Sequence, residues 1–167
     1  MKTINYIQSL VHPVTLLSTS DGEHENIATM SYVSALSKKP PLLMVSVSPL
    51  RYSHDLMLRS GEFAILVLGE AQREMATLAG TLSGADREKW NMPPFKQAKK
   101  PAHKIKAPLL RGCLAAFECI LVNHISAGDH TLFIGEVVNQ EQDNRLNPLI
   151  LFNRKYFSLG NFIEKYP

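Results

Sequence analysis

Two short stretches of this chain bring together residue types that could do chemistry. The first, Ser46-Val47-Ser48-Pro49-Leu50-Arg51-Tyr52-Ser53-His54, offers one guanidinium and three serine hydroxyls where a strand gives way to a helix N-terminus. Guanidinium, hydroxyl and free helix amides are the donors that a phosphate dianion requires. Thr29 and Ser31, two apart and so on one face of an extended segment, add two further hydroxyls. The second stretch, Gly128-Asp129-His130-Thr131-Leu132-Phe133-Ile134-Gly135-Glu136-Val137-Val138, sets an imidazole at the mouth of an apolar strand. An imidazole there can donate a hydrogen bond or a proton near neutral pH, and Asp129 can orient it.

Each group also has a plainer reading. Ser46, Ser48 and Ser53 suit strand edges and helix caps, with Arg51 in solvent. His130 suits a solvent-facing hairpin end, and Asp129 suits the turn position after Gly128. Asp55 opposes a phosphate on the helix axis, because it already complements the positive end of the dipole. Glu136 shares a strand face with Leu132, Ile134 and Val138, which points to a structural partner or an oligomer interface. Trp90 and Phe95 could form a lid or serve as local packing anchors.

The elements that must hold these residues follow from apolar patterning and turn signals. Strands are expected over Val14–Ser20, Asn26–Val33, Leu42–Ser48 and Phe63–Leu68. The third of these is bounded by prolines at 40, 41 and 49, which do not join a sheet interior. Ser53 is placed to cap a short helix from His54 to Arg59, stopped by Gly61. Met75, Leu78, Ala79 and Leu82 fall at helical spacing within Gln72–Leu82, and a further short helix is expected over Gly84–Trp90. The proline- and lysine-rich Met92–Pro108 segment reads as a long loop that could cover a site. Ala116–Ile125 and Thr131–Val138 predict a long antiparallel hairpin, followed by Pro148–Phe152 and Tyr156–Leu159 as a terminal return. Many strands joined by turns, with few helices, predict a mainly β fold: a β-barrel with short helical insertions.

Length and composition set the outer bounds. A chain of 167 residues, 45% apolar and 20% charged, is read as one domain over 1–167. A chain of that size buries roughly 70% of its extended surface around one core. The net charge of +3 is mild, and the basic run from Lys96 to Lys106 lacks interleaved aromatics, which reads as a solvated loop rather than a nucleic-acid surface. Cys113 and Cys119 are read as lying on one strand, about 20 Å apart, too far to bridge and so as reduced core thiols. The six histidines have no metal-ligand spacing, so no metal site is expected. No GxGxxG, Walker loop, HExxH or GxSxG motif is present, which removes the Rossmann, P-loop, zincin and serine-hydrolase readings. The N-terminal apolar run is broken by Gln8, His12 and Pro13, so neither a signal peptide nor a membrane span is expected, and the default location is cytoplasmic.

In their shared order, several of these pieces resemble the flavin reductase-like, FMN-binding split-barrel family of flavoredoxins and small NAD(P)H:flavin oxidoreductases. They are Asn26-Ile27-Ala28-Thr29-Met30-Ser31, Pro40-Pro41-Leu42, Ser60-Gly61-Glu62-Phe63, the Gly128–Val137 stretch, and Tyr156-x-x-Leu159-Gly160. The resemblance implies a Greek-key split β-barrel that forms a homodimer, with FMN near the subunit interface. It implies a cofactor region at Thr29, Ser31, Ser46, Val47, Ser48, Arg51, Ser53 and His54. It sets His130 toward the nicotinamide side and brings Tyr156 and Phe157 near the site. The activity implied is hydride transfer from NADH or NADPH to flavin, with electrons passing on to a flavin, ferric or protein acceptor, including a redox partner protein. Two alternatives stand beside it: a flavoredoxin-like FMN carrier with no direct NAD(P)H reaction, and a cofactor-free dimeric interaction module.

Overall fold

The computed structural model describes residues 6–165. The chain runs β1 (His12–Pro13), β2 (Thr15–Ser20), β3 (Glu25–Met30), β4 (Val33–Lys38), β5 (Pro41–Val47), α1 (Tyr52–Ser60), β6 (Glu62–Val67) and α2 (Arg73–Thr81). It continues with α3 (Phe95–Ala98), β7 (Lys99–Lys100), β8 (Leu109–Leu110), β9 (Ala115–Ala127), β10 (His130–Gln142), β11 (Ile150–Phe152) and β12 (Lys155–Phe157). Seven antiparallel strands form the main sheet in the order β3-β2-β6-β9-β10-β5-β4. The Ser46 amide donates to the Tyr32 carbonyl at 2.9 Å and extends the β4–β5 ladder by one rung, while the edge strand β3 comes back beside β5, so the sheet curls on itself as a split barrel. β1, β11 and β12 make a separate small sheet.

The expected Asn26–Val33 strand is in fact two strands, because the chain leaves the sheet at Ser31 and Tyr32 and re-enters as β4. That break puts Ser31 and Tyr32 at a rim instead of within a ladder. The middle of the sheet is covered on both faces, which explains why β6 reads as a continuous apolar run instead of an alternating one. Leu16 and Leu17 are both fully buried, yet they belong to different apolar clusters. Leu17, Val45, Val47, Phe63, Ile65 and Phe133 form one cluster with Met57 of α1. Leu16, Leu66 and Leu68 form the other, with Ala76 and Ala79 of α2 and with Trp90 and Phe95. Each fully buried large side chain contributes about 1.5–3 kcal/mol.

Gly135 explains one glycine of the hairpin motif. A Cβ at this position would lie 2.6 Å from the Phe63 ring and 2.8 Å from the Cys119 Cβ, so the barrel interior leaves room for hydrogen alone. The strand is irregular at the same place, between Ile134 and Gly135.

Several expectations are corrected. The first helix starts at Tyr52 with Arg51 as its N-cap, and Ser53 is buried inside the first turn, accepting a hydrogen bond from Asn26 Nδ2 at 2.8 Å. The expected Gly84–Trp90 helix is only a single 3-10 turn at Lys89–Asn91. Cys113 precedes β9, so the two cysteines do not share a strand. Both thiols are free and buried, and burial pushes them up to about 11 and about 12, which leaves them inert.

The Met92–Pro108 segment is no lid. Trp90 and Phe95 are 2% and 0% exposed and pack edge to face within the core. Farther along, the segment is clasped by Glu118, a fully buried carboxylate on β9. It accepts the amide of Lys104 at 2.6 Å, the amide of His103 at 3.0 Å and Asn139 Nδ2 at 2.8 Å. Burial alone would push this carboxyl up; the bonds from Asn139, His103 and Lys104 outweigh it and hold it below the ordinary glutamate range. The basic run is also spoken for in part, since Lys99 pairs with Glu25 and Lys100 with Glu141.

Candidate functional site

A cleft of about 550 Å³ lies along β3, between the start of α1, the C-terminal end of α2 and the β9–β10 turn. Its volume falls in the range of ligand sites, roughly 300–1,000 Å³. Asn26 and Ser31 both line it and stand five residues apart, a separation of about 16 Å in extended chain. The cleft is therefore long, and its two ends differ in chemistry.

At one end sit Arg51, Tyr52, Ser53, Gly84 and Lys89. The chain packs tightly there, since a Cβ on Gly84 would fall 2.2 Å from Asn26 Oδ1 and 2.8 Å from the Tyr52 ring. Lys89 is 1% exposed and has no carboxylate partner among the described residues. Its Nζ donates to the Ala79 and Leu82 carbonyls, each at 3.2 Å, at the C-terminal end of α2. That is where a cation complements the helix dipole. Burial, and then the Arg51 charge, pull this ammonium down to about 8. Arg51 is exposed and also makes no ion pair among the described residues. Two cations thus face one end of the cleft without an anion to balance them.

At the other end sit Ser31, Tyr32, Ser46, Asp129 and His130. His130 Nδ1 lies 2.7 Å from the Asp129 carboxylate, which fixes the ring orientation and leaves Nε2 available. The Tyr32 and His130 rings are 5.9 Å apart, and the His12 ring lies 5.5 Å from that of Tyr32. Burial, with the Tyr6 and Asp129 charges, pushes the Tyr32 phenol above its usual value, so it stays protonated.

Of the residues singled out from sequence, Thr29, Ser31, Ser46, Ser48, Arg51, Ser53 and His130 line this cleft together. The Thr29 hydroxyl donates to the Ala76 carbonyl, so toward the cleft it can only accept. Ser46 and Ser48 face the cleft while Val47, between them, points into the core and is 0% exposed. His54 is also turned away: its Nε2 is 3.0 Å from Thr131 Oγ1 and its ring meets Phe133 edge-on at 5.1 Å. It ties the start of α1 to β10. Tyr156 and Phe157 stand outside the cleft, on β12, beside a separate hollow with Glu70, Arg73 and Glu74. Asp55 is turned toward His54 Nδ1 at 3.3 Å and does not line the cleft, although it stays in the first turn of α1, where it complements the helix dipole. Lys89 and the residues 80–84, where α2 ends, were not singled out, because neither carries a motif or a periodicity. Only the tertiary path returns them to β3.

A family model, the flavin reductase like domain, matches residues 7–160. The chain belongs to the flavin reductase-like family. It is 35% identical over 138 residues to an uncharacterized protein of Archaeoglobus fulgidus, covering 83% of this chain and 77% of that one. It is 31% identical over 142 residues to the NADH-dependent flavin reductase StyB of Pseudomonas fluorescens, covering 83% and 76%. Among solved structures it is similar to BorF, the flavin reductase component of a bacterial two-component tryptophan halogenase. The TM-score is 0.83 at 28% identity, with 93% and 95% of the two chains covered. The expected fold, a mainly β split barrel with short helices, is the fold of this family.

Proposed function

We propose that this chain is a flavin reductase that holds FMN in the cleft and takes its reducing equivalents from a nicotinamide dinucleotide. The observation that carries the reading is Lys89, a buried ammonium at one end of the cleft with no carboxylate partner among the described residues. The residues fit the cofactor. Lys89 spends two of its three N–H groups on carbonyls and keeps one, and Arg51 adds a guanidinium, so a phosphate dianion would be neutralised there. Ser48 and the first amides of α1 add neutral donors. The Tyr32 end offers ring faces for a planar heterocycle, and Ser31 and Ser46 supply hydroxyls for its polar edge.

Bound FMN would supply the redox chemistry, accepting a hydride at N5 and releasing electrons onward. The protein binds, orients and shields. Lys89 and Arg51 anchor the anionic end. His130, held by Asp129, presents Nε2 at the opposite end, where it can donate a hydrogen bond to the nicotinamide nucleotide or carry a proton. Similarity to StyB supports NADH as the donor, and similarity to BorF supports a reduced flavin that serves a partner enzyme.

A homodimer is part of this reading. Ile120, Val122 and Val138, on the β9–β10 hairpin, are 37%, 50% and 40% exposed, an apolar surface that a second copy would cover. Sedimentation velocity reporting a monomer at micromolar concentration would count against it. Among the described residues no helix is long and apolar enough to cross a membrane.

The main test is anaerobic. The purified chain is loaded with FMN and mixed with NADH, then NADPH, while the flavin absorbance is followed. Rapid bleaching is expected with at least one of them. Tight FMN binding with no bleaching by either would replace the reductase with an electron carrier fed by another protein.

A further inference from the structure

A second hollow of about 410 Å³ adjoins the cationic end of the cleft, and Tyr52 and Gly84 line both. Its chemistry is the reverse of the cleft's. Glu23, Glu25, Asp86 and Glu88 line it, against Arg87 and His24. Glu25 is neutralised by Lys99 from outside the hollow. Glu23, Asp86 and Glu88 are exposed and make no ion pair among the described residues. A potential that is positive at Arg51 and Lys89 therefore turns negative across one pair of residues.

This contrast bears on which flavin the site takes, and it rests on the flavin reading above. We propose that the acidic hollow beyond Tyr52 and Gly84 makes the site selective for the flavin mononucleotide over the flavin adenine dinucleotide. The physical grounds are two. A phosphate monoester brings two negative charges to Arg51 and Lys89, whereas each phosphate of a dinucleotide brings one, so the anchoring attraction is about halved. The second phosphate and the adenosine must then leave the cationic end, and the adjoining hollow meets them with unpaired carboxylates. The acidic wall acts by repulsion, the second half of most specificity. The carboxylates are solvated, so each contributes modestly and in a salt-dependent way.

Riboflavin, FMN and FAD are titrated into the cofactor-free chain at low and high salt, following flavin fluorescence. The wild type is compared with the triple variant Glu23→Gln, Asp86→Asn, Glu88→Gln. FMN is expected to bind the wild type roughly tenfold or more tighter than FAD. The triple variant should gain roughly three- to tenfold for FAD, with FMN and riboflavin within about twofold of wild type, and the FAD gain should shrink at high salt. Equal binding of FMN and FAD by the wild type overturns the proposal, as does a triple variant that moves both nucleotides by the same factor or neither. Riboflavin and FMN binding in those cases would leave the flavin reading standing. Failure of all three flavins to bind overturns both.

Discussion

Replacing Lys89 by methionine separates the anchoring of an anion from every other role of this side chain. Methionine keeps the length and apolar stem and removes the charge. A hydrogen bond between charged groups contributes about 1.5–3 kcal/mol, so loss of the ammonium should weaken FMN binding roughly ten- to 150-fold. Riboflavin has the same ring and ribityl chain without the phosphate, so its affinity should change by less than about threefold. The substitution also strips the Ala79 and Leu82 carbonyls of their donor, at about 1–3 kcal/mol of folding stability. That loss is read separately, by denaturant titration of the ligand-free chain. The pH dependence gives an independent check. In the ligand-free chain the ammonium is charged below about pH 8, so FMN affinity should fall as pH rises above that value in the wild type and stay flat in the variant. Stability of the free chain should move the other way. A lysine whose folded value lies below its unfolded 10.5 opposes folding while charged, and that penalty fades between about pH 8 and 10.5. Calorimetric titration with both ligands would refute the reasoning if FMN and riboflavin lost affinity by the same factor, or if FMN lost none.

Further outcomes follow from other contacts. His130→Ala should leave FMN affinity within about twofold but slow reduction by the nicotinamide nucleotide, and stopped-flow reduction at the wild-type rate would remove that role. Glu118→Ala orphans the His103 and Lys104 amides and Asn139 Nδ2, at a cost in urea unfolding of about 1–3 kcal/mol for each donor left without an acceptor. Because the folded Glu118 carboxyl is held below its unfolded 4.5, its contribution is present above that pH and lost below it as the folded value is passed. The wild type should therefore lose stability on acidification in that window by more than Glu118→Gln does. Gly135→Ala overpacks the Phe63 contact by about 1–3 kcal/mol, and scanning calorimetry should show Tm lower by roughly 3–10 °C.

The half of the site built from consecutive residues was legible in the sequence. Thr29 and Ser31 on one stretch, Ser46, Ser48 and Arg51 on another, and His130 after its turn all reach the cleft, because strand alternation and turn chemistry decide their direction locally. The half built by tertiary return was not. Lys89 lies in a short irregular segment with no period, and nothing nearby announces that its ammonium folds back under α2. His54 misled for a related reason: one helical turn carries it past the cleft rim to Thr131, and its neighbours in sequence do not show that rotation. Glu118 did leave a trace, as a lone carboxylate amid Ala115, Ala116, Phe117, Cys119 and Ile120. A charge in such a run needs buried partners, but the pattern could not name His103 and Lys104. β4 escaped notice because Ser31 and Tyr32 interrupt an otherwise even succession of small and apolar residues.

β5 serves two masters at once, with Val47 in the apolar interior and Ser46 and, just past the strand's end, Ser48 on the wall of the cleft. A slip of one position against β10 would exchange them, sending hydroxyls into the interior and a bare isopropyl group toward the ligand. Loss of function and loss of folding are coupled along this strand, so length changes between Pro41 and Ser48 should yield no inactive but well-folded protein. Enzymes altered for new flavins are better sought at Glu23, Asp86 and Glu88, exposed positions off this strand whose replacement leaves that alternation untouched.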